Sequence, residues 1–363
     1  MKRKTLLLLL ALPPVLLLLV DVGLRFIAPP GDFPELKTKF VNDLPGLKRE
    51  VSWTSGPDGL RKVGWEDGRP RVLCFGGENA TPVLQADSDT WWGVAAASLA
   101  ADGLPVAIGS ISNSGQPASM ELGWIRHFAG KMKPKVVVLS FGAGEVLSRP
   151  AGYRYEENAN PAELSFLPTG WKGTVLKTST LASYWRLSRQ KKITETRQLP
   201  FSQENALKDR FTLECNDWQK APMISEIPWM DDPSDEVAAT VKKFAAMGKE
   251  MGFRPIVLWE PWPHRPDMTP ATTSTFRRLS LIQSDGKVVP VRADPAWVDH
   301  RMRAFHTRAR AVCEGMGIEF VDAAASLNGQ EGVFLDDTLF TDAGARAVGT
   351  ILAPVLKRLL QSP

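Results

Sequence analysis

The chain has 363 residues, of which 44% are hydrophobic and 23% are charged, and its formal net charge is +4. These fractions are typical of a folded globular protein and exclude a wholly disordered chain. Because both signs of charge are interspersed and no basic run follows the N-terminus, the composition argues against a nucleic-acid partner.

The N-terminus has the pattern of a membrane-targeting segment. A Lys-Arg-Lys sequence at positions 2–4 precedes an almost purely apolar run at 6–20, and continuing to residue 28 gives the roughly 20 residues that a membrane span needs. A positive flank stays in the cytoplasm. Residues 1–28 are therefore predicted to be an uncleaved signal anchor, a single transmembrane helix at the cell membrane that leaves the C-terminal domain extracytoplasmic. A cleaved signal peptide is the alternative.

Residues 29–70 are rich in Pro, Gly and charge, which predicts a stalk and a segment that leads into the domain over its surface. From residue 71 onward, short apolar segments alternate with helical patterns. The predicted strands lie at 71–75, 104–111, 135–141, 254–260 and 318–323, and the predicted helices at 89–101, 118–132, 234–252, 296–317 and 342–360. This alternation predicts an α/β fold of three layers, α/β/α, with a central parallel sheet.

Residues 148–233 interrupt the alternation with polar, Pro-rich and Trp-containing stretches. They are predicted to form a lid-like insertion in one domain that spans 71–363. In a parallel sheet ligands bind at the carboxyl ends of the strands, so the segments that follow the strands are the candidate site.

Four short segments at those strand ends carry the sequence signature of the site. They are Gly76-Gly77-Glu78, Asn113-Ser-Gly115-Gln-Pro-Ala118, Gly142-Ala-Gly144-Glu145 and Asp336-Asp-Thr-Leu339-Phe-Thr341. In this order they resemble the conserved blocks of the SGNH (GDSL-type) hydrolases, a flavodoxin-like family of esterases and acyltransferases, many of which act on carbohydrate acyl groups. The resemblance covers most of residues 71–360 apart from the insertion.

The resemblance implies a role for each of these positions, and at four of them this chain has a different residue from the family. Glu78 stands where the family has its nucleophilic serine, and Leu339 stands where it has its histidine base. Ala118 replaces the glycine whose N–H stabilises the oxyanion, and Gly144 replaces the asparagine that is the second oxyanion donor. Asp336 matches the aspartate of the last block.

These substitutions predict that serine-esterase activity is absent. Glu78 has no hydroxyl, and the hydrocarbon side chain of Leu339 cannot accept a proton. Gly144 lacks a side-chain donor, a loss worth about 10²–10³ in rate. Ala118 is tolerable, because a backbone N–H needs no particular side chain. No other register places a serine after Gly76 and Gly77.

Carboxylates are nevertheless predicted to gather at the same edge of the sheet, from Glu78, Glu145, Asp336 and Asp337. Two carboxylates can form an acid/base pair, and three can hold a hard cation. The alternative is structural: Glu78 caps the following turn or pairs with an arginine and fills the space that the serine and histidine left.

Aromatic and histidine residues complete the set of candidates. His264 is the only histidine placed just after a strand, and Trp262, in a Pro-rich turn, could stack on a sugar ring or pack in the core. Trp92 and Trp124 on helices are predicted to be core residues. The predicted ligand-binding residues are Glu78, Asn113, Gly115, Glu145, Trp262, His264 and Asp336.

The three cysteines, Cys74, Cys215 and Cys313, lack metal-ligand spacing, and neither a metal nor another cofactor is predicted. A Cys215–Cys313 disulfide is compatible with the sequence but does not follow from it. Cys74 lies within an apolar strand, where a buried thiol is expected.

Taken with the resemblance, these features predict a membrane-anchored, exported and catalytically degenerate SGNH-like protein. It would bind, or assist the modification of, cell-envelope or exported carbohydrate, with carbohydrate or an envelope-assembly protein as its partner. Two alternatives remain open. One is a hydrolase or acyltransferase that acts on ester bonds through Glu78 and Asp336 or a metal, and the other is an active esterase whose nucleophile lies elsewhere.

Overall fold

The structure is a computed structural model. It describes residues 36–41, 44–48, 50–56, 58–66, 68–82, 84–112, 117–147, 222–225, 234–269, 272–273, 276, 279–282 and 288–362. The chain divides into two compact units, of which the smaller comprises Met1–Leu36, Thr54–Leu60 and Asn160–Pro200. The described part of that unit is essentially a turn, in which the N–H of Gly56 donates to the carbonyl of Leu60 at 3.1 Å. The larger unit carries the candidate site.

Eleven strands are described, and eight of them form one sheet. They are β1 (Leu36–Val41), β2 (Glu50–Ser55), β3 (Arg61–Val63), β4 (Arg71–Phe75), β5 (Ala107–Ser110), β6 (Val136–Phe141), β7 (Met223–Ile224), β8 (Arg254–Trp259), β9 (Leu279–Ile282), β10 (Val288–Ala293) and β11 (Glu319–Asp322). The strand order of the large sheet is β1-β2-β3-β5-β4-β6-β8-β11, and a small sheet has the order β7-β10-β9.

The five strands from β5 to β11 in the large sheet pair in parallel, whereas β3 pairs with β5 antiparallel. Taken in chain order, the parallel strands are arranged 2-1-3-4-5, which is the flavodoxin-like order. In such a sheet the direction of winding reverses beside the first strand. The reversal lies between β4 and β6, so the segments that follow these two strands flank the expected binding crevice.

Seven α-helices are described, and five of them correspond to the helices predicted at 89–101, 118–132, 234–252, 296–317 and 342–360. They are α1 (Trp91–Ala101), α2 (Ala118–Met132), α3 (Gly144–Leu147), α4 (Ser234–Met251), α5 (Pro295–Met316), α6 (Ala324–Leu327) and α7 (Asp342–Gln361). Local capping explains several of the boundaries. Thr90 and Thr341 accept hydrogen bonds from the third residue of α1 and of α7, and α5 ends at Gly317 in the left-handed region.

The central strands are apolar on both sides because helices cover both faces of the sheet. All residues of β6 are buried, as are Val72 to Phe75 of β4. On one face α1 and α7 pack together over the strands in a core that includes Trp91 and Trp92. The helices α2, α4 and α5 form the other layer. The predicted three-layer α/β/α architecture with a mostly parallel central sheet is therefore confirmed.

Two regions differ from the sequence-based assignment. The segment 29–70, predicted as a stalk and a segment leading into the domain, contributes β1, β2 and β3 to the large sheet. The small sheet contains β9 and β10, which were not predicted. β2 alternates buried and exposed residues, and β10 contains Pro290, so neither has the continuous apolar run that identified the parallel strands.

Three other predictions concern residues outside the described part. The anchor at 1–28 is one, and no helix of the described residues combines the length and apolarity that a membrane span requires. Of the insertion at 148–233, the structure describes only residues 222–225. Cys215 is also outside, but its candidate partner Cys313 is a free, buried thiol, as is Cys74.

Candidate functional site

The turn after β4 requires glycine at position 76 for a steric reason that is independent of catalysis. Gly76 has a φ of +147°, and a Cβ at this position would lie 1.8 Å from the Ser140 Oγ. The turn closes with a hydrogen bond from the Ala80 N–H to the Gly77 carbonyl at 3.1 Å. Glu78 lies within this turn and is partly exposed. The turn that presents the nucleophilic serine in the SGNH hydrolases is therefore present here, but it carries Glu78 instead of serine.

A hydroxyl group connects Glu78 to the last block. The Thr338 Oγ1 donates to Glu78 Oε2 at 2.9 Å and lies 3.3 Å from Asp336 Oδ1. Because a hydroxyl carries one proton, it donates to only one of these carboxylates at a time. In the SGNH hydrolases the histidine connects the aspartate of the last block to the nucleophile. Here Thr338, the residue before Leu339, makes the corresponding connection between Asp336 and position 78. Thr338 was not predicted as a site residue.

Asp336 is held within its own loop. Its Oδ1 accepts hydrogen bonds from the N–H groups of Thr338 at 2.9 Å and Leu339 at 2.6 Å. The Leu339 side chain is buried, with 6% of its surface exposed. Asp336 thus stabilises a tight turn through backbone donors, a common use of aspartate, instead of orienting a base.

The carboxylate of Glu145 occupies the backbone donor that the resemblance assigns to the oxyanion. The N–H of Ala118, the first residue of α2, donates to Glu145 Oε1 at 2.7 Å, and both residues are buried. The N-terminus of a 15-residue helix has unpaired N–H groups and a positive dipole end, so a carboxylate is well placed there. An oxyanion could reach this N–H only by displacing Glu145.

A second buried carboxylate, Glu260, lies at the end of β8. A Cβ at Gly142 would approach Glu260 Oε2 to 2.5 Å, so the glycine of the third block makes room for this side chain. Glu260 accepts a hydrogen bond from Asn79 Nδ2 at 2.9 Å. Burial raises the pKa of Glu260, against the lowering effect of Asn79 and of the nearby Ser140 hydroxyl.

Asn79 in turn bonds to the loop that bears Leu339. Its Nδ2 also donates to the Thr338 carbonyl at 2.6 Å, and its Oδ1 accepts from the Phe340 N–H at 3.1 Å. Neither Asn79 nor Glu260 was predicted as a site residue. Their positions carried a signal, because Asn79 follows Glu78 directly and Glu260 is the first residue after a buried strand.

No family model matches the sequence, and no curated protein matches it either. Solved structures do match the chain. One is the crystal structure of TesA, which is 12% identical and has a TM-score of 0.42; the match covers 80% of this chain and 99% of TesA. A carbohydrate acetylesterase family member from Sinorhizobium meliloti has 11% identity and a TM-score of 0.40 over 81% of this chain and 100% of its own. The inhibitor-bound aryl esterase of M. smegmatis is 14% identical and has a TM-score of 0.40; the match covers 80% of this chain and 99% of the esterase.

In fold, the chain resembles the SGNH hydrolases. The strand order and the four blocks at the strand ends carry this likeness, and the substituted positions lie where the SGNH blocks place them in the sequence. Two of the predicted residues, Asn113 and Gly115, lie outside the described part of the chain, so the structure gives no geometry for the second block before residue 117.

Of the two alternatives left open for Trp262, the structure shows the buried one, and His264 is buried as well. Each has 2% of its surface exposed. The Trp262 Nε1 donates to Asp299 Oδ1 at 2.9 Å, and its backbone N–H donates to Asn328 Oδ1 at 2.9 Å. Because both polar ends of Trp262 are engaged, the Pro-rich segment packs inward against α5, and the ring offers no free face for stacking.

His264 packs against Phe276, with ring centroids 4.9 Å apart. Burial lowers its pKa to about 3, so the imidazole is neutral at physiological pH. His306 contacts the rings of Trp259 and Phe320 and bonds to Asp322 at 2.9 Å. Trp92 and Trp124 are buried as predicted.

The four carboxylates divide into separate contacts. Glu78 and Asp336 share Thr338, whereas Glu145 bonds to Ala118. Across the described residues no group of three or more His, Cys, Asp or Glu side chains is arranged to hold a metal ion. At the strand ends, Glu78, Asp336 and Glu145 are therefore each bonded to other groups of the protein itself.

Proposed function

We propose that this protein is a non-hydrolytic SGNH-like protein of the cell envelope, which binds carbohydrate or an envelope-assembly protein and assists carbohydrate modification. The observation that carries the non-hydrolytic part is the hydrogen bond from the Ala118 N–H to Glu145. It supports the proposal because an oxyanion hole must present a free donor to the charge that develops in the transition state.

The other requirements of acyl transfer fail independently. Position 78 carries a carboxylate, whose negative charge would oppose a developing oxyanion and whose attack on an ester would give an anhydride. Position 339 carries a buried leucine, and Asp336, which would orient a base, bonds to backbone N–H groups instead. The nucleophile, its base and a backbone donor are thus each replaced or occupied.

The carbohydrate part of the proposal rests on the resemblance to a family in which many members act on carbohydrate acyl groups. The cellular location rests on the N-terminal sequence, with its basic start and apolar run. A non-hydrolytic member of such a fold retains a cleft at the carboxyl ends of its strands, which suits recognition of a ligand without its conversion.

A second candidate is carboxylate-based hydrolysis, favoured by the approach of Glu78 and Asp336 to the same hydroxyl of Thr338. Two carboxylates in one cleft are the catalytic pair of many glycosidases. The Thr338 hydroxyl lies between the two groups here, so a substrate would have to displace it before either carboxylate could act.

One preparation distinguishes these functions. The purified extracytoplasmic part is expected to bind an O-acetylated oligosaccharide in calorimetry, to release neither acetate nor sugar from it, and to remain unlabelled by a serine-reactive phosphonate. The matched control is Glu78→Gln, which keeps the shape of the side chain and removes its charge. Phosphonate labelling would contradict the proposal, and so would sugar release by the unmodified protein that Glu78→Gln abolishes, which would instead support the carboxylate enzyme.

The proposed location is tested with the full chain. We expect the protein to stay with the membrane fraction after an alkaline carbonate wash and to retain its N-terminal residue, because an apolar helix of about 20 residues is held by the bilayer core. As a control, a variant with two arginines in place of Leu8 and Leu9 should lose membrane retention. A mature, soluble protein that begins near residue 29 would show that the segment is cleaved.

A further inference from the structure

We propose that Glu260 and Asn79 form a buried clamp that holds the loop 336–341 against the turn after β4, and that the clamp opens when the pH rises. The loop 336–341 contains Thr338, Leu339 and Asp336, so its position determines access to the strand-end cleft. The proposal concerns the arrangement of the cleft and holds whether or not the protein is hydrolytic.

The first step is the geometry of the amide. Asn79 donates to Glu260 Oε2 at 2.9 Å and to the Thr338 carbonyl at 2.6 Å, and it accepts from the Phe340 N–H at 3.1 Å. Its two donor hydrogens and its acceptor oxygen therefore each have a partner. One side chain thus ties the end of β8 to two backbone groups of the loop 336–341.

The second step is the setting of the acid. Glu260 has 3% of its surface exposed, and its Oε1 has no hydrogen-bond partner among the described residues. The backbone at Gly142 packs so closely that a single added carbon would lie 2.5 Å from Oε2. The carboxyl group is therefore enclosed by protein on one side and bound to Asn79 on the other.

The third step is the charge around the acid. In the part of the chain that the structure describes, Glu260 forms no ion pair with a basic side chain. On the turn after β4, on α3 and on the loop 336–341, the charged side chains are all carboxylates, those of Glu78, Glu145, Asp336 and Asp337. After β8 the nearest titratable group is His264, which burial keeps neutral, and burial raises the pKa of Cys74 on β4.

These steps determine the sign of the pH effect. Burial raises the pKa of Glu260 above its ordinary value of 4.5, so the folded state prefers the neutral acid. The stabilisation is fully present below the ordinary value and is lost as the pH rises through the raised one. Once ionised, the buried carboxylate has no basic partner among the described residues, so its hydration requires the surrounding loop to move away.

Hydrogen exchange of backbone amides measures this opening directly. For the wild type we expect the protection of peptides that cover 336–341, corrected for intrinsic exchange, to fall at least about tenfold between about pH 5 and about pH 8. Glu260→Gln keeps the size of the side chain and cannot ionise. In that variant most of the pH dependence of these peptides should disappear.

The controls separate the clamp from general effects. Glu250→Gln removes an exposed carboxylate that pairs with Arg126 on the surface, and it should retain the wild-type dependence. Asn79→Ala removes the hydrogen bonds between Glu260 and the loop 336–341, so hydrogen-exchange protection of the loop should already be low at about pH 5. If Glu260→Gln does not fold, this variant tests the clamp in its place. The proposal is overturned if wild-type protection is the same at both pH values, if Glu260→Gln keeps the dependence, or if Asn79→Ala leaves the loop protected.

Discussion

Restoring the three SGNH side chains is expected to give an esterase activity that stays about 10²–10³ lower as long as Glu145 remains than after its carboxylate is removed. The triple variant Glu78→Ser, Gly144→Asn and Leu339→His supplies a nucleophile, a side-chain donor and a base. The Ala118 N–H would still donate to Glu145 at 2.7 Å, so the oxyanion would lack its backbone donor. Loss of one such donor costs about 10²–10³ in rate.

Adding Glu145→Ala to the triple variant is expected to raise the hydrolysis of a short acyl ester about 10²–10³-fold, because the N–H is then free and the repelling carboxylate is gone. Nucleophile and base act as a unit worth about 10⁶ in rate in serine hydrolases, so even a poorly aligned set exceeds the background. The measurement compares hydrolysis by the triple and quadruple variants.

The matched control for the quadruple variant carries Glu78→Ala in place of Glu78→Ser and should be inactive. Circular dichroism and thermal unfolding establish that each variant is folded. A triple variant as active as the quadruple one would show that Glu145 does not block the donor. Equal activity with and without the serine would show that the hydrolysis arises elsewhere.

The second large effect concerns Arg61, a buried arginine that supports the segment after the Glu78 turn. Its Nε donates to Asp87 Oδ1 at 2.6 Å, and its two terminal nitrogens donate to the carbonyls of Pro82 and Gln85 at 2.5 and 2.7 Å. The guanidinium also lies 4.8 Å from the centre of the Trp53 ring. Arg61 has 3% of its surface exposed.

Arg61→Met is expected to lower the free energy of unfolding by about 3–5 kcal/mol, because it leaves a carboxylate and two carbonyls without their donor. Urea denaturation measures the change. Arg126→Met is the control, since Arg126 and its partner Glu250 are both 58% exposed, and a surface pair of this kind contributes less than about 1 kcal/mol. Similar losses for the two variants would contradict a special role for Arg61.

The parallel half of the fold could be predicted from sequence because its signal is local. β4 and β6 are apolar except for Arg71 and Ser140, and each is followed by a glycine at the strand end. A strand that is buried on both faces of a sheet needs apolar side chains at nearly every position. β2 and β10 escaped prediction because an alternating strand and a strand with an internal proline resemble ordinary loop sequence.

For the site, the sequence predicted which catalytic side chains are missing but not what occupies their place. The identities of Glu78 and Leu339 alone predict that the serine chemistry of the SGNH hydrolases is absent. The partners of the replacement groups are distant in sequence: Glu145 bonds to Ala118 across 27 positions, and Asn79 bonds to Glu260 across 181. Hydrogen bonds of this kind follow from the path of the chain, which no local pattern specifies.

Trp262 illustrates the same division. Prolines on either side correctly indicate an irregular segment after β8, but not whether that segment faces solvent. The direction follows from Asp299 on α5, whose carboxylate receives the indole N–H at 2.9 Å.

By itself, the sequence determined that this chain builds a parallel α/β sheet and that the positions matching the nucleophile, base and side-chain donor of the SGNH hydrolases carry other residues, because strand periodicity and residue chemistry are local properties. Only the tertiary structure decided that Glu145 binds the Ala118 backbone donor, that Thr338 joins Glu78 to Asp336, and that Glu260 is buried with no basic partner among the described residues. Each of these contacts depends on which strand ends meet. Burial and hydrogen-bond geometry exist only after the chain has brought them together.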